Sequence, residues 1–257
     1  MISRKVVGKN LPDAFYRSLL ELELFGNYVP CPDYDTEIKE MPISICVENP
    51  LEEPMITKLG IFDTESLQQY LMEVKDGILD FMIGKGETAW EYTYHDRIKD
   101  QILFVVKELK RNKYSRRAVI DVRDNSVDMF NEHPACLQHI QFLLRDNGLN
   151  MIVTMRSNDA FNACFMNMFA FILGIQKEVA DKLNVEVGEY IHNVGSFHIY
   201  KKDYDKLQKM LNRGLEANAL SLNLAYNYKN NWDLLMKDEI PKIMKKVEDQ
   251  KRKYGVK

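Results

Sequence analysis

The chain has 257 residues, of which 46% are hydrophobic and 28% are charged, values typical of a globular protein with a sizeable core. Its net charge of -3 and pI near 6.0 argue against a nucleic-acid-binding protein, because such domains are usually strongly basic. No apolar run approaches the ~18 residues of a membrane helix, and the N-terminal segment lacks the apolar core of a signal peptide. Four cysteines without zinc-site spacing predict free thiols, no metal site and a cytoplasmic protein.

The N-terminal part of the chain predicts two helices and a short strand. The first helical pattern consists of apolar residues on one face, Leu11, Phe15, Leu19 and Leu20. A Pro- and acid-rich segment at residues 31–63 follows, with a strand pattern at Ile43–Val47. Thr64 is the predicted N-cap of a helix that runs to about Phe81.

The rest of the chain alternates between strand and helix patterns. In order, these are a helix at Asp96–Asn112, a strand at Ala118–Arg123, a β-hairpin at Cys136–Asp159, a helix at Asn158–Leu183, and strands at Glu189–His192 and Ser196–Tyr200. The hairpin is predicted from the turn at Asp146-Asn147-Gly148. Helices and loops, with a Lys-rich amphipathic segment, complete the chain. The pattern predicts an α+β protein with one dominant sheet and a single domain over residues 1–257.

The hairpin carries a thiol at one end and charge at the other. Cys136 stands at the head of the first strand, and Arg156 and Ser157 stand near the end of the second. Positive charge near a cysteine favours its nucleophilic thiolate, and paired arginines such as Arg116-Arg117 match phosphate oxygens. The alternative is that the two arginines are surface charges and Cys136 is a core thiol.

Five motifs in this order resemble the thymidylate synthase superfamily, which includes phage deoxycytidylate hydroxymethylases. The motifs are Ser115-Arg116-Arg117, Cys136 followed by Gln141-Phe142, Arg156-Ser157-Asn158-Asp159, Asn167 eleven residues after the arginine, and Gly195-Ser196-Phe197-His198-Ile199-Tyr200. The resemblance covers about residues 90–205, and the segment from Trp90 to Arg97 resembles the shorter, archaeal-type branch. It implies a thymidylate synthase-like fold, one large mixed sheet packed against helices, and a homodimer formed through the sheet.

The resemblance also implies a reaction. Cys136 would attack carbon 6 of a pyrimidine deoxynucleotide monophosphate, and carbon 5 would then take a one-carbon unit from methylenetetrahydrofolate, the cosubstrate. Glu73 is the first candidate for the family's catalytic glutamate and Glu65 the second, while Tyr94 is the candidate active-site tyrosine. The alternative for Glu73 is a position on a solvated helix face. Leu137 stands where the family usually has a histidine.

Further residues acquire binding roles through the resemblance. Arg156 and Ser157 would hold the substrate phosphate within one subunit, and Arg116 and Arg117 would reach it from the other. The remaining substrate contacts would come from Gln141, Asn167, His198 and Tyr200. Asn167 would read the base, since an amide both donates and accepts, and His198 with Tyr200 would hold the sugar hydroxyl. Asp159 would lie on the folate side, or would only cap the following helix.

Three readings of function follow from these residues. The first is a thymidylate synthase that converts dUMP to dTMP, with hydride completing the reaction. The second is a deoxyuridylate or deoxycytidylate hydroxymethylase, with water in place of hydride. The family's closing C-terminal tail is not evident in the terminal KRKYGVK, which keeps the second reading open. The third is an inactive nucleotide-binding homologue. None of the three readings involves a nucleic acid or a membrane.

Overall fold

A computed structural model describes residues 2–60, 62–85, 90–216 and 225–256 of the chain. The strands are β1 (Arg4–Gly8), β2 (Asn27–Cys31), β3 (Thr36–Val47), β4 (Ile56–Thr57), β5 (Val119–Asp121), β6 (Leu137–Arg145), β7 (Gly148–Asp159), β8 (Val187–Tyr200) and β9 (Ala225–Tyr226). The α-helices are α1 (Leu11–Phe25), α2 (Thr64–Asp76), α3 (Tyr94–Arg111), α4 (Asn125–Asp128), α5 (Cys164–Phe171), α6 (Lys177–Leu183), α7 (Tyr204–Glu216), α8 (Asp233–Asp238) and α9 (Ile240–Lys253).

A seven-stranded mixed sheet organises the fold. Its order is β1-β3-β8-β7-β6-β5, with β2 also paired to β3. The pairs β1/β3 and β7/β8 are parallel, and the other pairs are antiparallel. The prediction of an α+β protein with one large mixed sheet packed against helices is therefore confirmed.

One face of the sheet is covered by helices because alternate strand residues are apolar. Along β8, alternate residues from Gly188 to Val194 are buried, as the two-residue repeat of a strand requires. These residues pack against α5, in which nearly every side chain is buried, including Phe165, Phe169 and Phe171. A smaller apolar cluster joins α2 to α9 and contains Met72, Leu79, Met82, Ile243 and Val247.

Several predicted boundaries were wrong in the N-terminal part. The strand pattern at Ile43–Val47 is only the end of the longer β3, and β1 and β2 were not predicted. The helix α2 begins at Thr64, but its N-cap is Asp63, whose carboxylate accepts from Ser66 N at 2.8 Å. It ends at Asp76 rather than near Phe81, because Gly77 has a φ of 63° that terminates the helix.

The predicted hairpin is present and ends at Asp159 as predicted, but the helix that follows it begins later than predicted. Gly148 follows the turn at a φ of 112°, and a Cβ there would lie 2.6 Å from Glu186 O. The strand β7 continues through Asp159, so the next helix begins at Cys164 and not at Asn158. That helix contains a π-helical turn at Ile172–Gln176 before α6.

The last sheet strand is also longer than predicted. The two strands expected at Glu189–His192 and Ser196–Tyr200 are parts of the single strand β8. Beyond it, the Lys-rich α9 packs on α2, and Lys242 and Lys246 both form ion pairs with Glu65. In the described residues, no helix combines the length and apolar character needed to cross a bilayer.

Candidate active site

The ends of the two central parallel strands build the wall of a cavity of about 610 Å³. Parallel pairing sets Asp159 of β7 opposite His198 of β8, so the polar ends of both strands lie side by side. This cavity, called here the Cys136 cavity, is lined by Asp33, Tyr34, Tyr94, Asn131, Glu132, His133, Pro134, Cys136, Met155, Arg156, Ser157, Asn158, Asp159, Ala163, Asn167, His198 and Tyr200. Eight of the residues predicted for the site are therefore brought together by the fold.

Cys136 is half-buried immediately before β6, where the hairpin register fixes its position. Its carbonyl oxygen accepts from Arg156 N at 2.9 Å, which ties the two ends of the hairpin together. The Tyr94 hydroxyl accepts from Leu137 N at 3.3 Å, so Tyr94 lies beside the residue that follows the thiol. The strand pairing thus places thiol and guanidinium at one end of the sheet, as the sequence pattern predicts.

The Arg156 side chain is held by backbone carbonyls. Its Nε donates to Ala135 O at 3.2 Å, and its Nη2 donates to Pro134 O at 2.8 Å. The guanidinium remains exposed to solvent, and Ser157 follows it on β7. These contacts orient a positive charge and a hydroxyl toward an anionic ligand without neutralising that charge.

His198 and Tyr200 lie together at the end of β8. Their rings are 5.1 Å apart at 87°, and Tyr34 packs on Tyr200 with ring centroids 5.6 Å apart. His198 Nδ1 lies 3.1 Å from Ser196 O, and the Ser196 hydroxyl donates to Glu40 at 2.5 Å. Burial raises the pKa of Tyr200 to about 12, so its hydroxyl stays protonated and available to donate.

Asn167 is a buried residue of α5 whose amide reaches the Cys136 cavity. Its Oδ1 accepts from the hydroxyl of Tyr70 on α2. Asn167 therefore lines the cavity and does not lie on the exposed surface of α5.

A series of hydrogen-bonded buried side chains supports the floor of the cavity. Asn158 Oδ1 lies 2.9 Å from His192 Nε2, and His192 Nδ1 lies 2.7 Å from the Tyr190 hydroxyl. Desolvation lowers the pKa of the buried His192 from 6.5 to about 3. A neutral histidine accepts at one nitrogen and donates at the other, so His192 links Tyr190 to Asn158.

A second cavity of about 420 Å³ adjoins the first, and Tyr94 and His133 line both. This Glu73 cavity is lined by Tyr70, Glu73, Val74, Trp90, Glu91, Tyr92, Thr93, Tyr94 and His133. Burial raises the pKa of Glu73, against a hydrogen bond from Gln69 Nε2 at 2.8 Å that lowers it. Glu65, by contrast, is bound to Lys242 and Lys246 on the far side of α2. Of the two candidate glutamates, only Glu73 reaches the site.

Three predicted site residues, Arg116, Arg117 and Gln141, line neither of the two cavities. Gln141 Nε2 donates to Arg116 O at 3.1 Å across the edge pair β5/β6. Arg117 Nη2 lies 3.1 Å from Glu108 Oε1, and its side chain is 72% exposed. Glu108 also accepts from Arg111 and Ser115, and these contacts lower its pKa to about 2. Within the described part of one chain, the Ser115–Arg117 loop therefore contributes nothing to the cavity.

Asp159 reaches the cavity, but its carboxylate is engaged by the following turn. Its Oδ1 accepts from Phe161 N and from Asn162 N, each at 2.9 Å, and Oδ2 accepts from the Asn162 side chain at 2.8 Å. Asp159 therefore caps the turn before the helix and not the helix itself, which starts at Cys164 with Ala163 as its N-cap.

The structure adds four residues to the site or its support that had no predicted role there: Tyr70, His133, Asn158 and His192. For Tyr70 a signal was available, because it precedes Glu73 by three residues and therefore lies on the same face of α2. His133 stands in the loop before Cys136, where no periodicity marks it.

Comparisons with known proteins identify the family of this chain. The family model of thymidylate synthase matches residues 56–244. A protein of Methanococcoides burtonii named "Putative thymidylate synthase" is 26% identical over 217 residues, which cover 82% of this chain and 95% of that protein. The thymidylate synthase of Oenococcus oeni is 30% identical over 139 residues, covering 54% of this chain and 43% of its own.

The fold also resembles a solved structure, thermostable thymidylate synthase A from Bacillus subtilis. The TM-score is 0.64 at 17% identity, over 79% of this chain and 84% of that one. The family match includes Glu73, Cys136, Arg156, Asn167 and Tyr200. The resemblance found in the sequence is thereby confirmed, and the chain belongs to the thymidylate synthase family.

Proposed function

We propose that this protein transfers a one-carbon unit from methylenetetrahydrofolate to carbon 5 of dUMP, giving dTMP. One observation carries the proposal: a thiol, a phosphate-type arginine and a base-reading amide line one cavity, and a half-buried carboxyl group lines the adjoining one. A nucleotide monophosphate needs the first three, and proton transfer at its carbon 5 needs the fourth.

Cys136 opens the reaction as the nucleophile. Its thiolate adds to carbon 6 of the pyrimidine, a carbon–sulfur bond forms, and the electron pair of the 5,6 double bond moves onto carbon 5 and its conjugated carbonyl. Carbon 5 can then form a bond to the one-carbon unit, which the folate supplies at the oxidation level of formaldehyde. The proton on carbon 5 leaves to a base, the bond between the one-carbon unit and the folate nitrogen breaks, and tetrahydrofolate departs from an exocyclic methylene. Hydride from tetrahydrofolate, which is oxidised to dihydrofolate, then adds to that methylene, expels the Cys136 thiolate and leaves a methyl group.

The surrounding side chains bind the nucleotide and move the proton. Arg156 and Ser157 hold the phosphate, His198 and Tyr200 hold the sugar hydroxyl, and Asn167 reads the base. Glu73, whose pKa is raised by burial, and the Tyr94 hydroxyl serve proton transfer near carbon 5.

The Glu73 cavity fits the pterin part of the folate. Trp90, Tyr92 and Tyr94 give it an aromatic lining on which a flat heteroaromatic ring stacks, and it opens beside Cys136 through the shared residues Tyr94 and His133. Asp159 lines the Cys136 cavity, so its proposed contact with folate requires the cosubstrate to extend from the Glu73 cavity into the Cys136 cavity.

The proposal includes a two-fold homodimer formed through the sheet, with shared active sites. Arg116 and Arg117 of one subunit then reach the phosphate bound by Arg156 of the other, which accounts for two arginines that lie outside their own cavity. Gln141, beside Arg116 on the sheet edge, supports that contact. The chain acts as a single domain, and its free cysteines fit the reducing cytoplasm.

Incubation with dUMP and methylenetetrahydrofolate tests the proposal. We expect dTMP and dihydrofolate, identified by mass analysis of the nucleotide and by the oxidation state of the folate. A hydroxymethyl product with tetrahydrofolate would assign the protein as a hydroxymethylase instead. Binding without turnover would make it an inactive nucleotide-binding homologue.

A further inference from the structure

Tyr70 forms a direct contact between the two cavities. It lines the Glu73 cavity from α2, and its hydroxyl donates to Oδ1 of Asn167, which lines the Cys136 cavity. The pairing links helices α2 and α5 across 97 positions of sequence. Tyr70 therefore touches the residue that reads the base without itself lining the cavity that would hold the base.

In the hydrogen bond between Tyr70 and Asn167, the hydroxyl is the donor and the amide oxygen is the acceptor. The ring of Tyr70 is half-buried, but burial of its hydroxyl raises its pKa far above the usual value, so the hydroxyl keeps its proton and donates. Asn167 is 6% exposed, and its amide oxygen is the acceptor for that proton. A reversed amide would leave the buried hydroxyl hydrogen without this acceptor, which is unfavourable in a desolvated site.

Fixing the amide decides which group it offers to a ligand. The hydrogen bond from Tyr70 holds Oδ1 on one side of the amide, so the donor Nδ2 is the group on its other side. Uracil carries a carbonyl at position 4, which accepts from that donor. Cytosine carries an amino group there, which would meet it with a second donor.

We propose that Tyr70 is a positioning residue that selects uracil over cytosine by fixing the orientation of the Asn167 amide. This inference rests on the proposed function, because it requires that Asn167 faces the base of a bound pyrimidine nucleotide. It adds a residue from α2 to the specificity of the site, one turn of helix before Glu73.

Tyr70→Phe removes only the hydroxyl, so it is the direct test. We expect the ratio of kcat/KM on dUMP to kcat/KM on dCMP to fall by at least about 5-fold, the lower limit for losing a buried hydrogen-bond partner. Asn167→Asp should lower the same ratio further, because a carboxylate oxygen accepts from the cytosine amino group. Tyr16→Phe is the matched control, since Tyr16 is also buried but its hydroxyl donates to Leu211 O at 3.3 Å, outside both cavities.

A double-mutant cycle separates positioning from general damage. In an Asn167→Ala background, Tyr70→Phe should leave the ratio unchanged, because Tyr70 acts only through Asn167. An equal fall in both backgrounds would overturn the inference, as would an unchanged ratio in the single Tyr70→Phe variant.

The inference and the proposed function fail in different ways. If the unsubstituted protein turns over neither nucleotide, the proposed function fails before Tyr70 is tested. If it prefers dUMP and Tyr70→Phe retains that preference, only the role of Tyr70 is lost. Should Tyr70→Phe not fold, NMR of the unsubstituted protein decides: the Asn167 side-chain amide hydrogens should shift on addition of dUMP, and an unchanged signal under saturating dUMP overturns the inference.

Discussion

Two arginine-bearing regions of this protein are built in opposite ways. Arg156 stands at the end of a central strand, is held by two backbone carbonyls, and lines the Cys136 cavity. Arg117 stands in a loop after α3, is paired with Glu108, and points away from that cavity with most of its side chain exposed. Arg156 therefore lines a cavity of its own chain. Arg117 instead presents an exposed charge, as is expected of a residue that contacts a neighbouring molecule.

The difference shows that a family signature does not describe one contiguous surface. Ser115-Arg116-Arg117 and Arg156-Ser157 belong to the same set of motifs, yet only the second lines the cavity of this chain. Glu108 holds the Ser115–Arg117 loop in place through Ser115 and Arg117 at 2.6 and 3.2 Å. A loop ordered in this way can present its charges to a partner at small conformational cost.

Cys136→Ser gives the largest expected effect and tests the cavity side of the comparison. Turnover should fall by at least about 10³-fold, because a hydroxyl is a far poorer nucleophile than a thiolate at neutral pH. Binding of dUMP, measured by calorimetry, should be retained, since the phosphate and base contacts are unchanged. In the unsubstituted protein, 5-fluoro-dUMP with methylenetetrahydrofolate should give a covalent adduct at Cys136 by mass spectrometry. Substantial turnover by Cys136→Ser would remove this residue from the mechanism.

Glu73→Gln tests whether the adjoining cavity carries the proton transfer. We expect kcat to fall by about 10²- to 10⁴-fold, the usual contribution of a positioned acid or base, with little change in the affinity for dUMP. Glu65→Gln is the matched control on the same helix, because Glu65 faces Lys242 and Lys246 instead of the cavity. A comparable loss in both variants would argue for damage to α2 and against a catalytic Glu73.

The buried His192 beneath the Cys136 cavity should make the stability of the protein depend on pH. The folded protein holds His192 neutral with a pKa of about 3, whereas an unfolded histidine has a pKa near 6.5. Between these values the unfolded chain binds the extra proton, so stability falls as the pH falls from about 6.5 toward 3, by at most ~1.4 kcal/mol per pH unit.

Denaturant unfolding at pH 7, 6 and 5 measures that dependence. His192→Gln, which keeps a side-chain donor for Asn158, should show a shallower loss of stability than the unsubstituted protein over this range. His133→Gln serves as the control, because His133 is exposed at the cavity mouth. Parallel curves for His192→Gln and the unsubstituted protein would mean that His192 does not titrate on unfolding.

Subunit mixing tests the arginine that lies outside the cavity. Arg117→Ala and Cys136→Ala should each be nearly inactive alone, since each homodimer would lack one component at both sites. After subunit exchange, about half of the dimers are mixed and each regains one intact site, so roughly a quarter of full activity should return. Arg111→Ala, which also removes a Glu108 partner, should remain active alone. No recovery after proven exchange would contradict a shared site.

Local sequence signals were sufficient for much of the site. Cys136 and Arg156 meet because the hairpin turn at Asp146-Asn147 sets the register, and the turn chemistry is visible in the sequence. His198 was also placed correctly, because a strand pattern and its motif coincide. The positions of Tyr70 and Asn158 depend instead on packing between distant elements, which no local pattern encodes.

The errors in the fold have the same origin. Asn158 and Asp159 were predicted both as the end of the hairpin and as the start of the next helix, and pairing with β8 places both residues in β7. The short β1 has no strong alternation of its own and is formed by parallel pairing with β3. In both places a tertiary contact overrides the local preference of the residues.

The Gln176 side chain should make the central strands of the site exchange their amide hydrogens more slowly than helix α2. From the π-helical turn, its Nε2 donates to Leu149 O at 2.9 Å, Gly188 O at 3.3 Å and Glu189 O at 3.0 Å, which fastens α5 and α6 to the central strands β7 and β8. Amide hydrogens of these strands should exchange with deuterium only when the whole domain opens. Those of α2, which lies outside the sheet and packs on other helices such as α5 and α9, should exchange through smaller openings. Ligand entry past Tyr70 and Glu73 can therefore occur while the wall bearing Arg156 and His198 stays intact.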